Sequence, residues 1–123
     1  ISDWDRNAIH IFNSNGKYDK TLNEETTEML GDSLKLPAGL AVDKNDGSLL
    51  VADRRNHCVW RLDQKGNILL KIGSEGVGPG ELYLPYGVVV CNDDSIAVSE
   101  SGNNRISIYF QFFSLLSYMI DCK

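Results

Sequence analysis

The segment VADRRNHCVWRLDQKG, residues 51–66, concentrates side chains that could do chemistry. Arg54 and Arg55 could bind phosphate or carboxylate groups, and His57 is of the type that ligates metals or transfers protons. Trp60 could stack on a nucleic-acid base or anchor a protein interface. The segment is therefore either a catalytic or nucleic-acid-binding cluster, or the visible part of a structural repeat.

The rest of the sequence argues against catalysis. The only two histidines, His10 and His57, lie about 47 residues apart, whereas a catalytic zinc site usually has three protein ligands. The three cysteines form no CxxC pair, and no G-x-S-x-G motif is present. The Gly-rich GSEGVGPG lacks the Lys-Ser/Thr that ends a phosphate loop. We predict a non-catalytic chain with no metal, cofactor or small-molecule substrate.

Composition is that of one small globular domain. The chain has 123 residues, of which 42% are hydrophobic and 24% charged, and its net charge of -5 provides no global basic field. It has no signal-peptide pattern, and its most apolar run, 110–120, is about half as long as a membrane span requires. We expect a cytoplasmic protein. Because the chain starts at Ile1 without an initiator methionine, we also expect it to be a piece of a longer protein.

Two landmarks show that the chain repeats itself. The acidic residue of the opening segment, Asp53, aligns with Asp3 and Glu100 at offsets of 50 and 47 residues. The segment KLPAGLAVD, residues 35–43, aligns with YLPYGVVVC, residues 83–91, at an offset of 48. These offsets agree on a period near 48 residues, which is typical of repeat architectures.

One period contains four short apolar segments separated by turn sequences such as DKNDG and DQKG. We predict strands at residues 39–42, 48–53, 58–62 and 67–72, followed by a Gly-rich connector over 73–85. Four short strands per period, with no helical pattern, describe one blade of a β-propeller.

The pattern V-A-D-x-x-N-H-x-V, a turn ending in Gly, and then G-x-x-G-x-G-P-G-x-L-x-x-P-x-G-V resembles the NHL repeat. The segment GSEGVGPGELYLPYGVVV is most similar to the C-terminal propellers of tripartite-motif (TRIM-NHL) proteins. The resemblance implies an interaction surface that selects the target of a ubiquitin ligase, whose activity would reside in a RING domain absent from this chain. It also leaves open an RNA-binding propeller acting in post-transcriptional repression.

A related family, the zinc-dependent amidating lyases, is a second alternative. Resemblance to that family would imply a histidine just after the proline at the start of the first, inner strand of each blade. This chain has Ala38 and Tyr86 at those positions, so the lyase activity is not expected.

We predict an all-β fold, a partial NHL-type propeller with one complete four-stranded blade flanked by two incomplete blades. The partial propeller covers residues 1–110, with blade parts at 1–30 and 84–110 and the full blade at 36–72. Residues 111–123 form an apolar tail outside the repeat, because FQFF stands where the earlier copies have NSNG and DQKG. Such a fragment cannot close a ring, and we expect it to fold marginally or aggregate.

Loops alternate between the two faces of a propeller, so the loop between the second and third strands shares a face with the connector to the next blade. Basic and aromatic side chains on that face suit a protein partner, or RNA as the alternative. The acidic stretch 23–32 would repel phosphate and weakens the RNA alternative. The predicted binding face comprises Trp4, Arg6, Arg54, Arg55, Tyr83, Tyr86 and Asn103.

A residue position that recurs in every copy of the repeat is expected to be structural, whereas a residue found in one copy is a candidate for a specific function. Asp53 and His57 occupy positions that recur in each copy, so we predict that they make hydrogen bonds within the blade. Trp60 lies within a predicted strand and is expected in the core between blades or on a partly covered surface, rather than as a platform for a ligand. Arg54 and Arg55 do not recur, which makes this pair the strongest candidate for partner contact, with an ordinary solvated loop as the alternative.

Overall fold

The computed structural model of the chain describes residues 1–23, 33–112 and 115–122. Regular secondary structure in this part of the chain consists of β-strands, and none of its segments forms a helix of the length and apolar character needed to cross a membrane. The strands are β1 (Ser2–Asp3), β2 (Ala8–Phe12), β3 (Tyr18–Leu22), β4 (Pro37–Val42), β5 (Leu49–Asp53), β6 (Cys58–Leu62), β7 (Ile68–Ile72), β8 (Pro85–Val90), β9 (Ile96–Glu100), β10 (Arg105–Phe112) and β11 (Leu115–Cys122).

The strands form three antiparallel sheets, which we call the first, second and third blades. Their orders are β1-β2-β3, β4-β5-β6-β7 and β8-β9-β10-β11. The all-β fold is confirmed, and the complete second blade has the four predicted strands. Its observed strand bounds differ from the predicted ones by at most two residues, because alternating apolar side chains and turn sequences delimit strands well.

The third blade differs from the repeat pattern at its outer edge. Strand β10 extends to Phe112, and β11 pairs antiparallel with it from Phe112↔Leu115 to Ile106↔Cys122. The sheet therefore has four strands where the repeat alone predicted three, since an apolar tail next to an open strand edge can satisfy its backbone hydrogen bonds there. The boundary at residue 110 between repeat and tail stays a prediction. The acidic stretch 23–32 lies, beyond Asn23, outside the described residues.

The backbone reproduces the repeat position by position. Each acidic residue stands at the end of a hairpin in its blade, formed by β1 and β2, by β5 and β6 or by β9 and β10. The paired residues are Asp3↔Ala8, Asp53↔Cys58 and Glu100↔Arg105. The residue just before the later strand of each of these hairpins has a left-handed conformation. These residues are Asn7 (φ 49°), His57 (φ 51°) and Asn104 (φ 51°).

The hydrophobic core lies between the blades. One cluster joins the first and second blades, and its buried members are Ile9, Leu22, Leu34, Val51, Cys58, Trp60 and Leu62. The other joins the second and third blades, and its buried members are Leu50, Ala52, Val59, Ile72, Leu82, Val88, Ile96, Val98 and Tyr109. Each blade thus buries its faces only against its neighbours, as expected for stacked repeats.

The inner strands, which are the first strand of the second blade, β4, and the first strand of the third blade, β8, lie side by side. A Cβ atom at Gly39 would stand 2.5 Å from the carbonyl oxygen of Tyr86 and 2.9 Å from Cα of Gly87. Only glycine permits so close an approach of two backbones. The approach brings Tyr86, at the start of the third blade, next to the second blade.

Candidate interaction face

Hydrogen bonds hold the loop between β5 and β6 of the second blade against the connector that precedes β4. Arg54 N–H donates to the carbonyl of Leu36 at 3.2 Å, and Arg55 N–H donates to the carbonyl of Lys35 at 2.9 Å. Asn56 Nδ2 donates to Ser33 O at 2.6 Å. The loop between strands two and three and the connector before strand one therefore lie on one face.

Three predicted residues from three blades meet on this face. The indole of Trp4 and the ring of Tyr86 pack edge to face, with centroids 5.9 Å apart and an interplanar angle of 87°. The guanidinium carbon of Arg54 lies 5.8 Å from the centre of the Tyr86 ring. Trp4 is 41% exposed and Tyr86 is 50% exposed. We refer to these residues as the Trp4–Arg54–Tyr86 cluster.

The third blade fixes the position of the Arg54 side chain. Nη2 of Arg54 donates to Oγ of Ser101 at 3.0 Å, and that hydroxyl donates in turn to the carbonyl of Leu84. Nε of Arg54 is buried and has no hydrogen-bond acceptor among the described residues. A buried donor without an acceptor costs about 1–3 kcal/mol, which the contacts of the Arg54 guanidinium with Ser101 and Tyr86 offset in part.

His57 connects two blades rather than bonding within its own. Its Nδ1 accepts a hydrogen bond from Leu84 N–H at 3.0 Å, and its ring stacks on Tyr83 at 4.8 Å with an interplanar angle of 7°. Asn7 does the same one blade earlier, where its Oδ1 accepts from Leu36 N–H at 2.9 Å. The prediction of a within-blade bond for His57 was wrong, because the recurring position serves the contact with the next blade.

Asp53 makes the within-blade hydrogen bonds that repetition predicted. Its buried carboxylate accepts from Lys35 N–H and Trp60 Nε1 at 3.0 Å each and from Asn56 Nδ2 at 2.7 Å. Burial raises the pKa of Asp53, and the hydrogen bonds from Trp60 and Asn56 partly oppose this rise. Trp60 is buried between the first two blades, as expected. The recurring acid is thus a scaffold residue.

Glu100 plays the same part in the third blade and engages a residue that sequence analysis missed. Arg105, itself buried, donates from Nε to Glu100 at 2.8 Å. Its other nitrogens donate to the carbonyls of Val77, Gly78 and Glu81 at 2.8–3.0 Å. The Gly-rich connector therefore wraps a buried guanidinium. The signal was available, since an arginine in place of Cys58 and Ala8 at the start of a buried strand needs a polar partner.

The remaining predicted residues lie on the face in different roles. Asn103 donates to the carbonyl of Gly76 at 3.0 Å and to Glu100 at 2.9 Å, so it supports the connector. Arg55 is exposed. Arg6 is exposed, and its Nη1 lies 3.6 Å from Oδ2 of Asp3. The pKa of Asp3 is lowered, mainly by the hydrogen bond from His10 and also by Arg6.

No group of three metal-ligating side chains occurs within the described ranges. His10 lies between Asp3 and Thr21, with Nε2 3.0 Å from Oδ2 of Asp3 and Nδ1 2.9 Å from Oγ1 of Thr21. His57 is engaged by Leu84 as described above. The two histidines therefore lie in different blades with separate partners.

Comparisons with known proteins agree with the fold. Residues 34–62 match the NHL repeat model. The crystal structure of selenomethionine-substituted virginiamycin B lyase from Staphylococcus aureus superposes with a TM-score of 0.63 at 18% sequence identity, over 92% of this chain and 34% of that one. No curated protein matches the chain. The likeness shows the propeller fold alone, and the chain spans about a third of the length of that lyase. Together the two matches support an NHL-type propeller.

Proposed function

We propose that the chain is a non-catalytic protein-interaction module and that the Trp4–Arg54–Tyr86 cluster is the centre of its binding face. The observation that carries this proposal is the meeting of one residue from each blade in a single exposed cluster. Tryptophan, tyrosine and arginine are the residue types that most often dominate binding energy at protein interfaces. A rigid scaffold that presents them in fixed geometry lowers the entropic cost of binding.

Two features favour a protein over RNA as the partner. The chain carries a net charge of -5, and the side chain of Glu75, which is largely exposed, lies 3.9 Å from His57 on the same face. RNA affinity depends on neutralising phosphates with lysine and arginine. The acidic surroundings oppose that, whereas an arginine over the Tyr86 ring, which Trp4 also contacts, fits a peptide carbonyl or carboxylate.

We also propose that this surface selects the target of a TRIM-type ubiquitin ligase. The support is the NHL repeat at residues 34–62 together with the Gly-rich connector that resembles TRIM-NHL propellers. The sequence of the full-length transcript that encodes this chain tests this assignment directly. A RING domain, B-box and coiled coil upstream of the repeats would support it, and a complete parent without a RING domain would contradict it.

The interaction proposal is tested by cross-linked affinity enrichment with matched variants. The Tyr86→Ala chain removes the exposed ring of the cluster. The Leu69→Ala chain is the control, since Leu69 is 53% exposed on β7 of the second blade. A hot-spot residue contributes about 2 kcal/mol or more, so we expect specific proteins to bind the control like wild type and to bind Tyr86→Ala at least roughly tenfold more weakly.

Two results would contradict the proposal. Equal recovery by both variants would mean that the cluster is not the binding site. Recovery that disappears after nuclease treatment, together with oligonucleotide affinity that falls steeply with salt, would establish RNA as the ligand instead.

A further inference from the structure

We propose that protonation of His57 weakens the junction between the second and third blades. His57 is the last residue before β6 of the second blade, and its ring contacts the connector that leads into β8 of the third blade. Both blades lie within the described residues. The junction is therefore internal to the chain and does not depend on what adjoins the first or the third blade.

The contact requires a neutral imidazole ring. Nδ1 of His57 accepts a hydrogen bond from Leu84 N–H at 3.0 Å, and a neutral ring has one nitrogen that can accept. Protonation makes donors of both ring nitrogens, so the N–H of Nδ1 would then face the N–H of Leu84. The His57 side chain is 14% exposed, which leaves little room for water to replace the lost bond. Histidine is the side chain that ordinarily titrates between about pH 5 and about pH 8.

The equivalent contact at the junction between the first and second blades does not titrate. Asn7 occupies the same repeat position as His57, and its Oδ1 accepts a hydrogen bond from Leu36 N–H at 2.9 Å. Both residues have a left-handed backbone, with φ 49° at Asn7 and φ 51° at His57, a conformation in which asparagine and histidine are enriched. The oxygen of a side-chain amide accepts at every pH of this range, so the proton dependence belongs to the junction that His57 makes.

A carboxylate faces the other nitrogen of the ring. Oε1 of Glu75 lies 3.9 Å from Nε2 of His57, and the Glu75 side chain is 66% exposed. Water and salt weaken an ion pair at so exposed a site. The pair with Glu75 gives the charged ring a partner, but a carboxylate beside Nε2 supplies no acceptor to the N–H of Leu84.

The other charged and titratable groups of this junction do not replace the bond either. Tyr83 stacks on the His57 ring at 4.8 Å, a contact that a cationic ring can keep. The charged side chains of the loop, the connector and the facing strand ends are Asp53, Arg54, Arg55, Glu81, Glu100 and Arg105. Their carboxylates accept hydrogen bonds from residues other than Leu84, and the two loop arginines add positive charge next to a protonated ring.

Leu84 remains bound to the third blade when its amide is released. Its carbonyl accepts hydrogen bonds from the N–H and the Oγ of Ser101 at 3.0 Å each. The backbone of Leu84 is left-handed, with φ 51°, which is unfavourable for leucine, and the bond to His57 helps to hold it. Loss of that bond separates the connector from the second blade. The contacts of Arg54 with Tyr86 and Ser101 cross the same junction, so protonation also loosens the Trp4–Arg54–Tyr86 cluster.

Hydrogen exchange of single backbone amides in the full chain measures this release, because the protection factor of an amide reports the free energy of its opening. The protection factor also divides out the intrinsic effect of pH on exchange. We expect the protection factor of the Leu84 amide to fall at least roughly tenfold between about pH 8 and about pH 5. The Leu36 amide, which Asn7 holds, is a control within the same molecule and should keep its protection.

Two variants separate His57 from the other groups that titrate. His57→Asn places at this junction the residue type that the first junction uses, so the protection of Leu84 should no longer depend on pH. His10→Asn removes the other histidine, whose ring contacts Asp3 and Thr21 in the first blade. That variant should keep the pH dependence of the wild type at Leu84.

Nitrogen chemical shifts of the His57 ring provide a second measurement, which needs no variant. At about pH 8 the ring proton should lie on Nε2, because Nδ1 accepts from Leu84. A Leu84 protection factor that stays constant with pH would overturn the proposal. So would an equal fall at Leu36, an undiminished pH dependence in His57→Asn, or a ring proton on Nδ1 at about pH 8.

Discussion

Replacing Gly39 by alanine would force a Cβ atom into the backbone of the neighbouring inner strand. That atom would stand 2.5 Å from Tyr86 O, 2.9 Å from Cα of Gly87 and 3.1 Å from N of Val88. Backbone atoms of a paired strand cannot rotate away, so the second and third blades must separate. Gly87→Ala is a matched control, because Gly87 has the same repeat position and its Cβ would meet the side-chain oxygen of Ser99 at 3.0 Å.

The two substitutions should differ in the free energy of unfolding. Overpacking a tight site costs about 1–3 kcal/mol, and the backbone contacts place Gly39→Ala at the upper end of this range. Gly87→Ala displaces Ser99 and loses its hydrogen bond from the Gly87 N–H, a loss of about 0.5–1.5 kcal/mol. Both variants gain about 0.4–1 kcal/mol from a less flexible unfolded chain. The control should therefore stay within about 1 kcal/mol of wild type.

Urea denaturation at one fixed protein concentration measures the difference. With a slope of about 1–3 kcal/mol per molar urea, the midpoint of Gly39→Ala should fall by roughly 1 M, and that of Gly87→Ala should change little. If the two variants have equal midpoints, the inner strands do not pack as closely as described and the reasoning fails.

Asp53→Asn should lower the free energy of unfolding by about 1–3 kcal/mol. The amide nitrogen of the new side chain would face at least one of the three hydrogen-bond donors, which belong to Lys35, Asn56 and Trp60. Thermal unfolding checks this, with Asp63→Asn in an exposed turn as the control. Carboxyl-detected NMR should place the pKa of Asp53 above 3.8 and that of Asp63 below it. Trp60→Phe should raise the pKa of Asp53 further, since it removes a bond to the ionised form; a lowered value would refute this. The folded chain holds the Asp53 proton more tightly than the unfolded chain, so its contribution to stability falls as pH rises from 3.8 through the folded-state pKa.

Most of the fold was predictable from sequence because it follows from a repeated pattern. Period, strand bounds and the role of Asp53 all depend on residues that occur in each copy. Trp60 lies in the core between blades, one of the two positions expected of it, because an apolar ring in a central strand has a neighbouring blade to pack against. The fourth strand of the third blade was not expected, since the turn before it lacks the Asn, Asp and Gly of the other copies.

The interaction face was only partly predictable. Loop topology placed Trp4, Arg54 and Tyr86 on one face, but their mutual contacts depend on the rotation between blades, which a repeat pattern does not specify. Asn103 was predicted as a surface residue, whereas its amide supports the connector. Arg105 was missed because a single copy of the repeat carries it, and only the fold shows that the connector carbonyls surround it.

Site-specific photo-cross-linking tests most directly whether the three blades form one protein-binding surface. A photoreactive amino acid is placed in turn at Trp4, at Tyr86 and at the control position Leu69. The same partner protein should cross-link from the first two positions and not from the third, since the two rings lie 5.9 Å apart. Different partners at Trp4 and Tyr86, or equal cross-linking from Leu69, would contradict a single binding face at the Trp4–Arg54–Tyr86 cluster.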